Sequence, residues 1–91
     1  MKYQIRRTTQ FKKDYKFAVK RGLSIEKLDV AIKLLAKNGF LPPEYHDHPL
    51  MGDMKGLREC HIESDWLLIY RIDHGILVLV LTATGSHSDL F

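Results

Sequence analysis

Ninety-one residues, 45% of them hydrophobic, are enough for one modest core and predict a single domain over residues 1–91. The net charge of +3 is uneven: residues 1–37 hold eleven Lys/Arg against three acids, net +8, and residues 38–91 hold three against eight, net −5. The longest apolar run, Ile76–Leu81, is far short of the ~20 residues of a membrane span, and the basic amino terminus lacks the apolar stretch of a signal peptide, so the prediction is a cytoplasmic protein with no membrane partner.

In chain order, Lys2–Arg6 alternates Tyr3 and Ile5 with polar residues, a short strand pattern. From Thr9, read as an N-cap, Phe11, Tyr15, Ala18 and Val19 recur at helical spacing until Gly22. Ser24 caps a second helix with Ile25, Leu28, Ala31, Ile32 and Leu35 on one face, ended by Asn38-Gly39 and then Pro42-Pro43. Leu41–Gly56, rich in proline, glycine and histidine, has no sustained period and reads as a surface loop. Three strands follow, Leu57–Ile62, Trp66–Ile72 and Ile76–Thr82, joined by the hairpin signals Glu63-Ser64-Asp65 and Asp73-His74-Gly75. The last is apolar on both faces and is expected deep in the sheet. The order β-α-α-β-β-β defines an α+β fold, an antiparallel-rich sheet with two N-terminal helices packed on one face.

Among the five histidines, strand geometry can bring three together: His48 in the loop entering the sheet, His61 at the end of one strand, and His87 just beyond another. Asp65 and Trp66 begin the strand between them. Two groups with pKa near 7 suit metal-free RNA cleavage, one taking the 2′-hydroxyl proton and one protonating the departing 5′-oxygen. An exposed indole would add a stacking face, although Trp66 reads equally well as a core residue. His46 and His74 read as ordinary surface histidines. The chain closes with Leu90 and Phe91, apolar residues that imply a tail held down beside His87. A zinc set of His46, His48, Cys60 and His61 is set aside, because strand neighbours Cys60 and His61 point to opposite faces. The lone Cys60 reads as a small buried hydrophobe, and neither metal nor cofactor is expected.

Asp47–Asp73 (DHPLMGDMKGLRECHIESDWLLIYRID), followed by TGSHSDLF, resembles the YafQ branch of the RelE/ParE superfamily, toxins of type II toxin–antitoxin pairs. The basic β-α-α front, RRTTQFKKDYKFAVKRG, fits it too, so the likeness covers nearly the whole chain. The resemblance implies a RelE-like fold and a ribosome-dependent endoribonuclease that cuts messenger RNA in the A site of the 70S ribosome. It places His48, His61, Asp65 and His87 in the acid–base and positioning group. Phe91 would contact substrate, with Trp66 at a matching site position. Lys12, Lys13, Lys16, Lys20 and Arg21 would meet ribosomal RNA phosphates, positioning without reading sequence. The implied partner is an acidic, partly disordered antitoxin of the RelB/DinJ kind, through which alone the toxin would reach DNA.

One position departs from the pattern. Relatives usually carry arginine four residues before the last histidine, where this chain has Ala83. Three explanations arise: substitution of the charge by Lys55, Arg58 or Arg71 near the substrate, a naturally weak toxin acting mainly in an antitoxin–repressor complex, or a deliberately disarmed version. A ParE-like toxin that inhibits by contact, without using histidines, is the alternative of a different class.

Overall fold

The computed structural model describes residues 2–91. Strand β1 (Gln4–Arg7) leads into helices α1 (Thr9–Lys20) and α2 (Ile25–Asn38). Thr8, not Thr9, caps α1, its hydroxyl accepting the Phe11 N–H at 3.0 Å. Ser24 stands at the N-cap of α2 without a side-chain cap bond. That helix instead rests on burial of Leu28, Ala31, Ile32, Leu35 and Ala36, and Gly39 ends it in the left-handed conformation (φ 80°). Val19, expected on the apolar face of α1, is 53% exposed.

The segment expected to be a loop contains two short 3₁₀ turns, Pro43–Tyr45 and Gly52–Met54, on either side of a two-residue strand, β2 (His48–Pro49). Two residues are too few to register as alternation. β3 (Arg58–Glu63), β4 (Trp66–Asp73) and β5 (Val78–Gly85) follow, and a short helix, α3 (His87–Leu90), comes last. β5 starts later than Ile76 because the Asp73 carboxylate accepts the N–H groups of Gly75 (2.9 Å) and Ile76 (3.1 Å), drawing these residues into the turn. Leu77 leaves that turn at φ 55°.

The strands form one mixed sheet in the order β1-β5-β4-β3-β2, with β1 parallel to β5 and the other pairs antiparallel. The α1–α2 segment is the crossover that a parallel pair requires. One sheet face carries Cys60, Leu68, Tyr70, Leu79 and Leu81 into a core with Phe11, Leu28 and Leu35 of the two helices. On the other, the register aligns His48, Glu59, Ile69 and Ala83 in one row across four strands, and His61, Leu67 and Gly85 in the next. Leu67 and Ile69 are also buried, so β4 is apolar on both faces at the centre of the sheet.

A bulge between Ile69 and Tyr70 pairings leaves Thr82 as the extra residue of β5. Two contacts from the first helix segment fix it: Thr8 Oγ1 donates to the Thr82 carbonyl (2.6 Å), and the Asp14 carboxylate accepts the Thr84 N–H (3.1 Å). Among the described residues, no helix is long and apolar enough to cross a membrane.

Candidate active site

His61 is the hub of the helix-free face. Its ring centroid lies 5.8 Å from His46, 6.4 Å from His48 and 6.1 Å from His87. Phe91 extends the group, 6.4 Å from His87. The three histidines singled out in the sequence therefore share one surface, and His46 joins them. His74 does not, since it sits in the far hairpin, where its Nδ1 meets the Tyr3 hydroxyl at 2.8 Å.

Glu59 lies beneath the cluster. It is 5% exposed, with Oε1 3.6 Å from His48 Nε2 and 3.7 Å from His61 Nε2. The buried carboxylate lies between the two imidazoles and holds both rings in place. His48 Nδ1 contacts the His46 carbonyl at 2.9 Å. A carbonyl only accepts, so Nδ1 carries hydrogen and Nε2 is the atom left to exchange a proton.

His87 is fixed by a second carboxylate. Asp65 Oδ1 accepts from His87 Nδ1 at 3.0 Å and from the His87 backbone N–H at 3.2 Å. This leaves His87 Nε2 free to face a substrate. Ser86 and Asp89 form a capping box that shapes α3, and Arg21 reaches Asp89 at 3.2 Å. Polar contacts thus hold the tail, whereas Phe91 itself is 59% exposed. The expectation of an anchored tail holds, but the anchor is not apolar burial.

The His87 imidazole, then its backbone N–H, hold the Asp65 carboxyl below its ordinary value of 3.8. A carboxyl depressed on folding contributes stability that is present above the unfolded value and lost as pH falls through the folded one. Acidification below pH 3.8 is therefore expected to release the tail. NMR would show the His87 amide losing its Asp65 bond while β4 amides stay native, and a His87 amide unchanged down to global unfolding would contradict the contact.

Two expected substrate contacts are corrected. Trp66 is buried (3% exposed), and its Nε1 donates to Thr84 Oγ1 at 3.0 Å, so the indole offers no stacking face. Arg58 pairs across β4 with Tyr70 on the helix side of the sheet. There Asp47 takes the Arg58 Nε at 2.8 Å and the Tyr70 hydroxyl, which directs this guanidinium away from the histidines. Lys55 is exposed just after the second 3₁₀ turn. Cys60 is fully buried on the helix side, opposite His61, and burial pushes its thiol pKa up.

Lys12, Lys13, Lys16 and Lys20 are exposed along α1, and Arg21 follows them. Between α1, α2 and β1 runs a groove of about 650 Å³, floored by Ile5, Phe11, Tyr15 and Ile32 and rimmed by Arg7, Lys12, Lys16 and Lys33, with Asp29 as its one acidic lining residue. Sequence reasoning missed Glu59 and His46. Glu59 had a signal, since it stands two residues before His61 and so shares its strand face. His46 had none, because its left-handed backbone (φ 49°) turns its ring toward His61 from outside any strand.

The α+β sheet backed by two helices is a fold shared with a bacterial toxin of a type II toxin–antitoxin system. The crystal structure of the Escherichia coli DinJ-YafQ toxin–antitoxin complex matches with a TM-score of 0.90 at 40% identity, covering 100% of this chain and 99% of that one. The chain belongs to the YafQ family, whose model, described as bacterial toxin of type II toxin–antitoxin system, matches residues 3–91. The mRNA interferase toxin YafQ of E. coli K12 is 43% identical over 83 residues, 90% of this chain and 88% of that protein. A metal-bound toxin from Helicobacter pylori matches with a TM-score of 0.89 at 42% identity, covering 98% and 99% of the two chains. Here, no group of three or more His, Cys, Asp or Glu among the described residues is placed to hold a metal ion.

Proposed function

We propose that this toxin is a ribosome-dependent endoribonuclease that cleaves translated messenger RNA by acid–base attack of the 2′-hydroxyl. The observation that carries the reading is the continuous imidazole run His48–His61–His87, ending on exposed Phe91. One imidazole nitrogen takes the 2′-hydroxyl proton as that oxygen bonds to phosphorus. A second gives a proton to the 5′-oxygen as its bond to phosphorus breaks. The products are a 2′,3′-cyclic phosphate and a 5′-hydroxyl, with no net change in protons. His87 and His61 are the favoured acid–base pair, His48 assists, and Glu59 and Asp65 hold the rings. Phe91 offers the stacking surface that buried Trp66 does not.

Exposed Lys12, Lys13, Lys16 and Lys20 suit ribosomal RNA phosphates. The neighbouring groove suits an acidic, amphipathic antitoxin segment: apolar side chains would enter between the helices, and carboxylates would meet the cationic rim. Binding there covers part of α1 and so blocks the ribosome. Lys33→Glu on α2 is expected to weaken antitoxin binding at least about tenfold in titration calorimetry while leaving cleavage intact, and unchanged affinity would move the antitoxin elsewhere.

The function itself is tested by inducing the chain with and without its antitoxin and mapping message 5′ ends. New ends within translated frames, absent when the antitoxin is present, support it. Growth arrest with intact messages would favour the contact-inhibitor class. No growth arrest and no new ends would favour the weakened toxin, a reading that Ala83 supports because it puts no charge at that position.

A further inference from the structure

Two arginines on the histidine-bearing face have no part in the chemistry above. Arg71 on β4 stands two residues beyond Ile69; it pairs with Val80 of β5, and Val80 pairs with Arg6 of β1. Directly paired residues project to the same side of a sheet, so Arg6 and Arg71 share the face of His48, Glu59, His61 and Ala83. Two residues along a strand are about 7 Å. The arginine row is therefore next to the row of His48, Glu59, Ile69 and Ala83, on the side away from His87.

Both arginines are exposed, and neither enters any of the ion pairs found among the described residues. Arg58 and Arg21, by contrast, are held by Asp47 and Asp89. Charge on an edge strand deters unwanted strand pairing, which is reason enough for Arg6. It does not account for Arg71, which lies on the central strand of the sheet.

We propose that Arg71 and Arg6 form a phosphate track for the message, holding backbone phosphates beside the cleaved bond so that the scissile phosphate falls over Ala83 in front of the imidazoles. The inference rests on the RNA-cleavage reading above. Guanidinium groups match phosphate oxygens in bidentate geometry, and a row parallel to the catalytic one suits a chain of regularly spaced anions. Phosphates that do not react are held equally in ground and transition states. The two arginines are thus positioning residues, which lower the half-saturating concentration and leave the chemical step alone.

The test is single-turnover cleavage on ribosomes programmed with a short message, using the full chain, Arg6→Gln, Arg71→Gln and the double variant, with thermal unfolding confirming the fold. Each single change is expected to raise the half-saturating toxin concentration about five- to tenfold, to leave the plateau rate within about twofold, and to reduce the salt slope by about one. A neutral methylphosphonate placed in the message beside the cleaved bond is expected to reproduce the loss in the wild-type chain and to make Arg71→Gln silent. Unchanged half-saturation, a fall confined to the plateau rate, or a loss additive with methylphosphonate at every flanking position would each overturn the track. A wild-type chain that leaves the message intact overturns the cleavage reading and the track together; cleavage with no arginine dependence overturns the track alone.

Discussion

His87→Ala is expected to lower the single-turnover rate of message cleavage by about 10²- to 10⁴-fold, the span ordinarily supplied by a positioned general acid or base, while leaving the domain folded. The ring has no place in the core: its side chain is 56% exposed and its partner Asp65 69% exposed. An ion pair in that setting contributes little to stability. The backbone N–H of residue 87 reaches Asp65 independently of the side chain, and the capping box of α3 uses Ser86 and Asp89. Removal of the imidazole therefore takes away Nε2 and leaves the tail shaped. Cleavage at the wild-type rate by a folded His87→Ala chain would remove this residue from the chemistry. A toxin that still arrested growth with His48, His61 and His87 all replaced would belong to the contact-inhibitor class.

Ala83→Arg carries the second large effect, in the opposite direction. Ala83 pairs with Ile69, which pairs with Glu59 across from His48. An arginine there would rise from the histidine-bearing face two strands from Glu59, near charge that develops on the phosphorane oxygens. A preorganised cation or donor at developing charge is worth about 10²- to 10³-fold in rate, so single-turnover cleavage is expected to rise by up to that factor, with the half-saturating concentration little changed. The contrast with Arg71→Gln, which is expected to act on saturation and not on rate, separates a charge that stabilises the transition state from one that holds the message. No change in rate would mean that the position is silent in this chain.

The helices and the three long strands were legible because their side chains follow periods of 3.6 and 2 over enough residues to be read. β2 and α3 were not, since His48–Pro49 and His87–Leu90 are shorter than either period needs. The pairing of β1 with β5 was invisible for another reason: alternation tells which face a residue takes but not which strand lies beside it. The convergence of His48, His61 and His87 was readable from the chain order of the strands and their ends. Trp66 shows the limit. Its type and position suited a stacking platform, and only the Thr84 hydroxyl, contributed by β5, shows that the indole is satisfied inside the core. Glu59 marks the converse, a charged residue that composition assigns to water and that the sheet buries under two rings.

The burial of Trp66 has an experimental consequence. It is the chain's one tryptophan, sealed under the end of β4 beside Asp65, so its fluorescence is a label-free optical gauge of this corner of the molecule. Emission at short wavelength reports an intact interior in any variant, and a red shift reports water at the indole, letting loss of chemistry be told from loss of structure in the same cuvette.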